Sequence, residues 1–288
     1  MLKSWGNDEI TLLSPAKINL FLHVEGKRQD GYHDLVSIMC CVGIYDTISI
    51  DFKTAQTSIK CSVPNVPEDE TNLAAAGAAV FFKVYNKSQP LKIIIDKHIP
   101  VSAGLGGGSS NAAAVMCGLN QYYGFPIPYK RLISMGASLG ADIPFFIYGK
   151  PAVARGIGEK LEPFEILCPY SVLLVNPGFE VSTAKIFKKL NLGLTTCKKK
   201  LTYCHFKREP FDIIDILCND LETVTLKMFP EIAVIKKELL KLGAIGAQMT
   251  GSGPTVFGIF SDSDKAEKAK CAIKKNKKWK LFLTQIIV

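Results

Sequence analysis

Metal-ligand spacings, export features and long apolar spans are what this 288-residue sequence lacks. Histidine is scarce, four in all, and tryptophan scarcer at two. No two histidines stand as HxxxH and no two cysteines as CxxC, which excludes the common structural zinc patterns. Residues 99–129 carry no charge, yet their middle is Gly, Ser and side-chain amide where a lipid-facing helix needs Leu and Ile, so no membrane span is expected. Lys3 is followed by Asp8 and Glu9, and the apolar run from Ile10 breaks at Lys17, so neither a secretory leader nor an Arg-rich transit peptide is read. The nine cysteines, an odd number, are then expected as reduced thiols in a cytoplasmic protein.

What is present is apolar enough for a sizeable core. With 48% hydrophobic and 21% charged residues, disordered, collagenous and small disulfide-scaffold classes are excluded. The length suggests two domains. The net charge of +9 is concentrated: residues 185–209 and 265–280 each hold eight Lys or Arg against one acid, and the remainder is net negative. Such runs fit a nucleic-acid footprint or a solvated basic face that attracts anionic metabolites; no aromatic stripe of the RNA-binding type accompanies them.

Hydrophobic periodicity predicts strands at 11–24, 47–52, 91–99, 170–176, 247–260 and 281–288. Helices are predicted over 72–86, from Ser109 onward, and over 129–139, 182–190, 211–229 and 230–242, with a basic helix before the last strand. Pro144 is expected to prevent a simple helix after Asp142. The Gly-rich, polar stretch 151–163 reads as a crossing between two halves, residues 1–155 and 156–288. Strands and helices mix without strict βαβ repetition, which indicates an α+β fold.

The strongest local signal is Gly104-Leu105-Gly106-Gly107-Gly108-Ser109-Ser110-Asn111-Ala112-Ala113. Glycines let backbone N–H groups approach a ligand without Cβ obstruction, and a helix N-terminus just after them adds unpaired donors and a positive dipole end, the requirements of a polyphosphate site. It is not a Walker A loop, lacking Gly-Lys-Ser/Thr, nor a dinucleotide fingerprint, since Ser109 takes the place of the third glycine. In Ser14-Pro15-Ala16-Lys17-Ile18-Asn19-Leu20, Lys17 and Asn19 fall on one face of a strand, a pattern shared by a site and by a polar edge. Asp30-Gly31-Tyr32-His33 joins a turn to an aromatic and an imidazole, the parts a planar base needs for stacking and edge hydrogen bonds. Thr250-Gly251-Ser252-Gly253-Pro254-Thr255 either lines a phosphate site by close backbone approach or is a tight turn.

In order, the segments 15–20, Pro100 with 104–113, and 249–260 resemble the three motifs of the GHMP kinase superfamily. Residues 28–33, 139–146, 154–159 and 219–222 are similar to those of a cytidine-nucleotide-recognising member, and the match runs from about residue 12 to about residue 260. The resemblance implies an α+β two-domain fold with the active site in a cleft between an N-terminal ATP-binding half and a C-terminal half. It implies transfer of the ATP γ-phosphate, with Mg²⁺, to the tertiary 2-hydroxyl of a cytidine diphosphate-linked methylerythritol. Asp142 is then the base and Lys17 its partner. Pro100, Val101, Ser102, Ala103, Gly104, Leu105, Gly106, Gly107, Gly108, Ser109 and Ser110 form the ATP loop, with Asn72 and Lys97 beside the adenosine. Asn19, Tyr32, His33, Asp142, Thr183 and Phe187 hold the substrate. No protein ligand to a metal, no nucleic-acid or membrane partner, and a monomer or homodimer are expected. Ser102-Ala103, Thr250 and Met39 depart from the superfamily pattern, and the stretch from Cys197 to Arg208 matches nothing in it. The alternatives are another GHMP small-molecule kinase, of homoserine or mevalonate type, and a nucleic-acid-binding protein; Tyr32, His33, Thr183 and Phe187 separate the first reading from the second.

Overall fold

Two strands of nineteen residues dominate the N-terminal third of the computed structural model, which describes residues 2–6, 8–195, 197, 212–273 and 278–288. After β1 (Leu2–Trp5), β2 (Glu9–Lys27) and β3 (His33–Asp51) are joined by a turn in which Arg28 N–H donates to Tyr32 O and Gly31 takes a φ of +88°. Alternation reveals only the end of β3. Its first half, Val36 to Val42, is buried on both faces and so reads as a continuous apolar run without a strand period.

Contact density divides the chain into two compact units that are interleaved in sequence and do not follow a single boundary near residue 155. The first comprises Met1–Ala16, Ile44–Val101 and Gly106–Gly149. Here β4 (Ser58–Cys61) runs parallel to β5 (Lys92–Asp96), which pairs antiparallel with β3 from Thr47↔Asp96 to Asp51↔Lys92. Helix α1 (Leu73–Tyr85) starts where the Asn72 side chain accepts from Ala74 N–H and stops at Asn86 in the left-handed conformation. It packs on α2 (Gly107–Tyr122), and Gly77 permits the close approach, since a Cβ there would lie 3.2 Å from Ala112 O. Phe81 is fully buried, worth about 1.5–3 kcal/mol, and Phe52 stacks on Tyr122 with centroids 3.8 Å apart. After α3 (Tyr129–Ala137) comes α4 (Ile143–Tyr148), formed despite Pro144 because proline in the first turn removes no intrahelical hydrogen bond.

The second unit comprises Lys17–Gly43, Ser102–Leu105 and Lys150–Val288. Residues 151–163 are not a linker. They form the hairpin of β6 (Ala152–Gly156) and β7 (Lys160–Pro163), with β6 paired to β3 and Glu159 accepting from Ile157 N–H in the turn. After β8 (Ser171–Asn176) and α5 (Thr183–Lys189), the helix expected over 211–229 is broken into α6 (Ile213–Ile216), β9 (Cys218–Asn219) and α7 (Glu222–Met228), because β9 pairs with Phe21 and Leu22. Helix α8 (Glu231–Lys241) follows. The strand expected over 247–260 is two strands, β10 (Gly246–Met249) and β11 (Val256–Phe260), around a turn with a cis Gly253–Pro254 bond. Helix α9 (Ser263–Ile273) precedes β12 (Lys280–Ile287), and the sheet order is β12-β8-β11-β10. Leu173, Val175, Ile186, Ile232, Ile235, Leu239, Val256 and Phe260 make its core.

The expectation of reduced thiols throughout is corrected at one place. Cys197 and Cys218 form a disulfide, their Cα atoms 5.8 Å apart once β9 is laid on β2, while Cys40, Cys41, Cys61, Cys117, Cys168 and Cys271 are free. The rest of the basic stretch that ends at Arg208, with Lys198, Lys199 and Lys200, lies outside the described residues. Among the described residues no helix is long and apolar enough to cross a membrane.

Candidate active site

The first unit holds the helical end of the glycine loop. Gly106 is the N-cap of α2, at φ +70°, and the helix begins at Gly107, two residues before the position expected from sequence. By helix geometry the N–H groups of Gly107, Gly108 and Ser109 have no intrahelical acceptor. A Cβ on Gly108 would meet only Leu73 at 3.6 Å, so its outer side is open. Ser110 is buried and its hydroxyl accepts from Ser14 at 2.7 Å. Lys97, its side chain 5% exposed, points its ammonium at the buried Asp46 carboxylate and at Asn111 Oδ1, 3.3 Å away. Asn72 is buried, and its amide caps α1 and donates to Pro67 O. Asp142 is half-buried at the start of α4, makes no side-chain cap to that helix, and receives Phe146 N–H on its carbonyl. Pro100, Val101 and Ser109 belong to this unit; Val101 is 38% exposed.

The second unit gathers the lysine strand, the middle of the glycine loop and the turn after β10. Lys17 and Asn19 share a face as alternation requires: Lys17 Nζ donates to Asn19 Oδ1 at 2.6 Å. Both are buried. Asn19 Nδ2 donates to Ser37 at 2.8 Å, and its backbone N–H donates to Thr250 Oγ1 at 3.1 Å. Lys17 N–H donates to Leu105 O at 3.0 Å and the Thr250 hydroxyl lies 3.2 Å from Gly104 O, so the loop middle is fixed on both sides. Gly104 has φ +76°, and a Cβ there would lie 2.3 Å from Thr250 O; only glycine fits. Ser102, also at positive φ, and Ala103, buried, complete this part of the loop. Asn219 Nδ2 donates to both Met249 O and Gly251 O at 2.8 Å, and Glu222 accepts from Met249 N–H at 2.9 Å. The 219–222 motif thus holds the turn that holds the loop. Asp220, fully buried, accepts from Val24 N–H, Cys197 N–H and the His23 ring.

Of the residues expected at a base, the second unit brings His33 and Phe187 together. His33 and Phe187 face each other with centroids 5.0 Å apart, and Thr183 opens α5 with its hydroxyl 2.7 Å from that of Ser252. Burial, aided by the positive charge of Lys27, pushes the His33 pKa below its ordinary value. Tyr32 is 59% exposed, on a turn braced by Asp30, which accepts from its backbone N–H and from Arg28. Met39 is buried opposite Ala152. Asp46, Ser14 and Ser37 were not legible as partners of these residues; a lone acid inside the apolar stretch 44–50 was the one hint.

Residues 72–150 match the family described as GHMP kinases N terminal domain, and residues 208–278 match GHMP kinases C terminal. The chain belongs to the GHMP kinases. Among its relatives, 4-diphosphocytidyl-2-C-methyl-D-erythritol kinase of Syntrophotalea carbinolica is 46% identical over 276 residues, covering 96% of this chain and 98% of that one. The protein of the same name from Syntrophus aciditrophicus is 42% identical over 280 residues, covering 96% and 99%. A crystal structure of 4-(cytidine 5'-diphospho)-2C-methyl-D-erythritol kinase, 29% identical, superposes with a TM-score of 0.77 over 96% of this chain and 98% of that chain. Homoserine kinase from Cytophaga hutchinsonii, 17% identical with a TM-score of 0.75 over 99% and 96%, shares the fold.

Proposed function

We propose that this chain phosphorylates the 2-hydroxyl of 4-diphosphocytidyl-2-C-methyl-D-erythritol with ATP, a step of the non-mevalonate route to isoprenoid precursors. The observation that carries the reading is identity above 40% over nearly the full length to kinases of that name, and the proximity of the His33 and Phe187 rings supports it. Homoserine and mevalonate kinases share the fold at far lower identity.

Loop residues 100–110 hold the triphosphate through backbone N–H groups, for which the open side of Gly108 and the free first turn of α2 are suited. Asn72 and Lys97 flank the adenosine side. Asp142 takes the proton of the tertiary hydroxyl, and Lys17, oriented by Asn19, positions that oxygen and offsets its charge. Tyr32 stacks on cytosine, His33 reads its polar edge, and Thr183 and Phe187 complete the substrate contacts. Mg²⁺ supplies charge neutralisation on the phosphates when bound. The Cys197, Cys218 and Asp220 group is no candidate to hold it, because its two sulfurs are joined in the disulfide and present no thiolate, and Mg²⁺ prefers oxygen ligands. A cytoplasmic monomer or homodimer with no nucleic-acid or membrane partner completes the proposal.

ADP release is the test, measured with the cytidylylated erythritol, its uridine analogue, homoserine and mevalonate. Turnover of the first, with the uridine analogue at least about tenfold poorer through an unpaired buried polar edge, is the expected result. Preference for homoserine or mevalonate would overturn the assignment. Asp142→Asn should lower kcat by about 10²–10⁴ with little change in KM for ATP, and near wild-type single-turnover transfer would remove Asp142 as the base.

A further inference from the structure

The loop at residues 100–110 carries glycines at 104, 106, 107 and 108, the residue type that loses most freedom on ordering. Something must define where it leaves and rejoins the first unit. One carboxylate touches both ends. Asp46 Oδ1 accepts from His98 N–H at 2.8 Å and Ile99 N–H at 2.9 Å, immediately before the loop. Asp46 Oδ2 accepts from Asn111 Nδ2 at 2.9 Å, immediately after it, and from the ammonium of Lys97. Lys97 bridges to Asn111 Oδ1, and Asn111 Nδ2 also reaches Ser14 Oγ at 3.0 Å. Asp46 is 0% exposed and sits on β3, with residues Thr47 to Asp51 just beyond it laddered to β5, so the anchor is rigid.

From this geometry we infer that Asp46 is a positioning residue for nucleotide binding, clamping both ends of the glycine loop, and that Lys97 acts through Asp46 and not by charge contact with the nucleotide. The inference rests on the kinase reading and deepens it, reassigning Lys97 within the same site. The ammonium is turned inward, and a Cβ on Gly107 would already lie 3.0 Å from it, so the α2 start is packed against the pair. A buried charge left without its partner is costly, whereas removing both members together costs much less. Loss of the clamp leaves the loop amides unaligned toward the phosphates while leaving the second unit's His33, Phe187 and Thr183 untouched.

The test compares Asp46→Asn, Lys97→Met, the double variant and Asn111→Ala. It uses steady-state kinetics for each substrate and direct titration of ATP binding, with circular dichroism to verify folding. Each charge-pair single variant should raise KM and Kd for ATP at least about tenfold, the scale of a lost charged hydrogen bond, with KM for the cytidylyl substrate unchanged. The double variant should be no worse than the poorer single. Asn111→Ala, which keeps the ion pair and frees only the far end, should show the same selective rise at smaller size. A folded Asp46→Asn with wild-type ATP affinity overturns the inference, as does a double variant whose losses multiply, because Lys97 would then contact the nucleotide independently. Should Asp46→Asn not fold, Asn111→Ala decides: wild-type ATP binding in it overturns the clamp. Wild-type protein that binds no ATP overturns the kinase reading together with this inference, whereas wild-type protein that binds it while the variants are unaffected overturns this inference alone.

Discussion

His33 faces the Phe187 ring in surroundings that disfavour its charged form, first by burial and then by Lys27. With its pKa below the ordinary value of about 6.5, it is neutral at pH 7 and offers one donor and one acceptor nitrogen, as an edge-reading residue needs. As pH falls the imidazolium forms and the acceptor is lost, so KM for the cytidylyl substrate should rise on acidification, and His33→Asn should flatten that limb. A profile equally steep in the variant would remove His33 from recognition. Stability has the same sign. The unfolded chain, titrating at about 6.5, takes up the proton first, so the contribution of neutral His33 is present above that pH and is lost as pH falls through the lower folded value. At this scale the sequence was readable where both partners lie within one strand period, as with Lys17 and Asn19. It was opaque for Asp46, whose ligands come from residues 97–99 and 111, and for Asp220, whose partners include residues 23, 24 and 197.

Neighbouring glycines of the same loop should behave oppositely. Gly104→Ala places a side chain at φ +76° and 2.3 Å from the carbonyl oxygen of Thr250, so at least about 2 kcal/mol of stability should be lost in denaturant titration. Gly108→Ala lies in the first turn of α2 with only Leu73 near, so stability should hold or gain up to about 1 kcal/mol, while the proposed phosphate site at these amides predicts that KM for ATP rises. Wild-type KM for ATP in Gly108→Ala would exclude that amide from the site. Elements whose ends are signalled locally were legible. Helix α1 lies between the two asparagines that cap it, and β8 and α8 fall almost where periodicity put them. Missed elements owe their form to distant pairing: the first half of β3, buried on both faces, β9, which interrupts a helical pattern to join β2, and the β6–β7 hairpin, whose Gly156 and Gly158 make a turn and not a linker.

Across the whole molecule, thiol chemistry follows burial and not the division into units, since the second unit holds both buried Cys40 and Cys41 and exposed Cys168 and Cys271. Burial pushes Cys41 and Cys117 up to about 12 and raises Cys40 well above its usual value, whereas Cys168 and Cys271 are exposed. Iodoacetamide at neutral pH should therefore label Cys168 and Cys271 in the folded protein, and Cys40 and Cys41 only after unfolding, as read by peptide mass spectrometry. Rapid native labelling of Cys40 or Cys41 would contradict the packing of β3. The interleaving itself could not be read from a linear scan, because a strand of nineteen residues looks like one element while its two halves serve different cores.

The Cys197–Cys218 bond turns the intervening chain into a covalent ring, and a ring changes what a protease can release. Trypsin acting on thiol-blocked, denatured but unreduced protein cuts after Lys189, Lys198, Arg208 and Lys227, freeing the lysine- and arginine-rich middle of that ring in fragments. Peptides 190–198 and 209–227 should then travel as one species, with the mass of both less two hydrogens, and part on reduction. Recovery of both as separately alkylated peptides before any reductant is added would show that the ring is open.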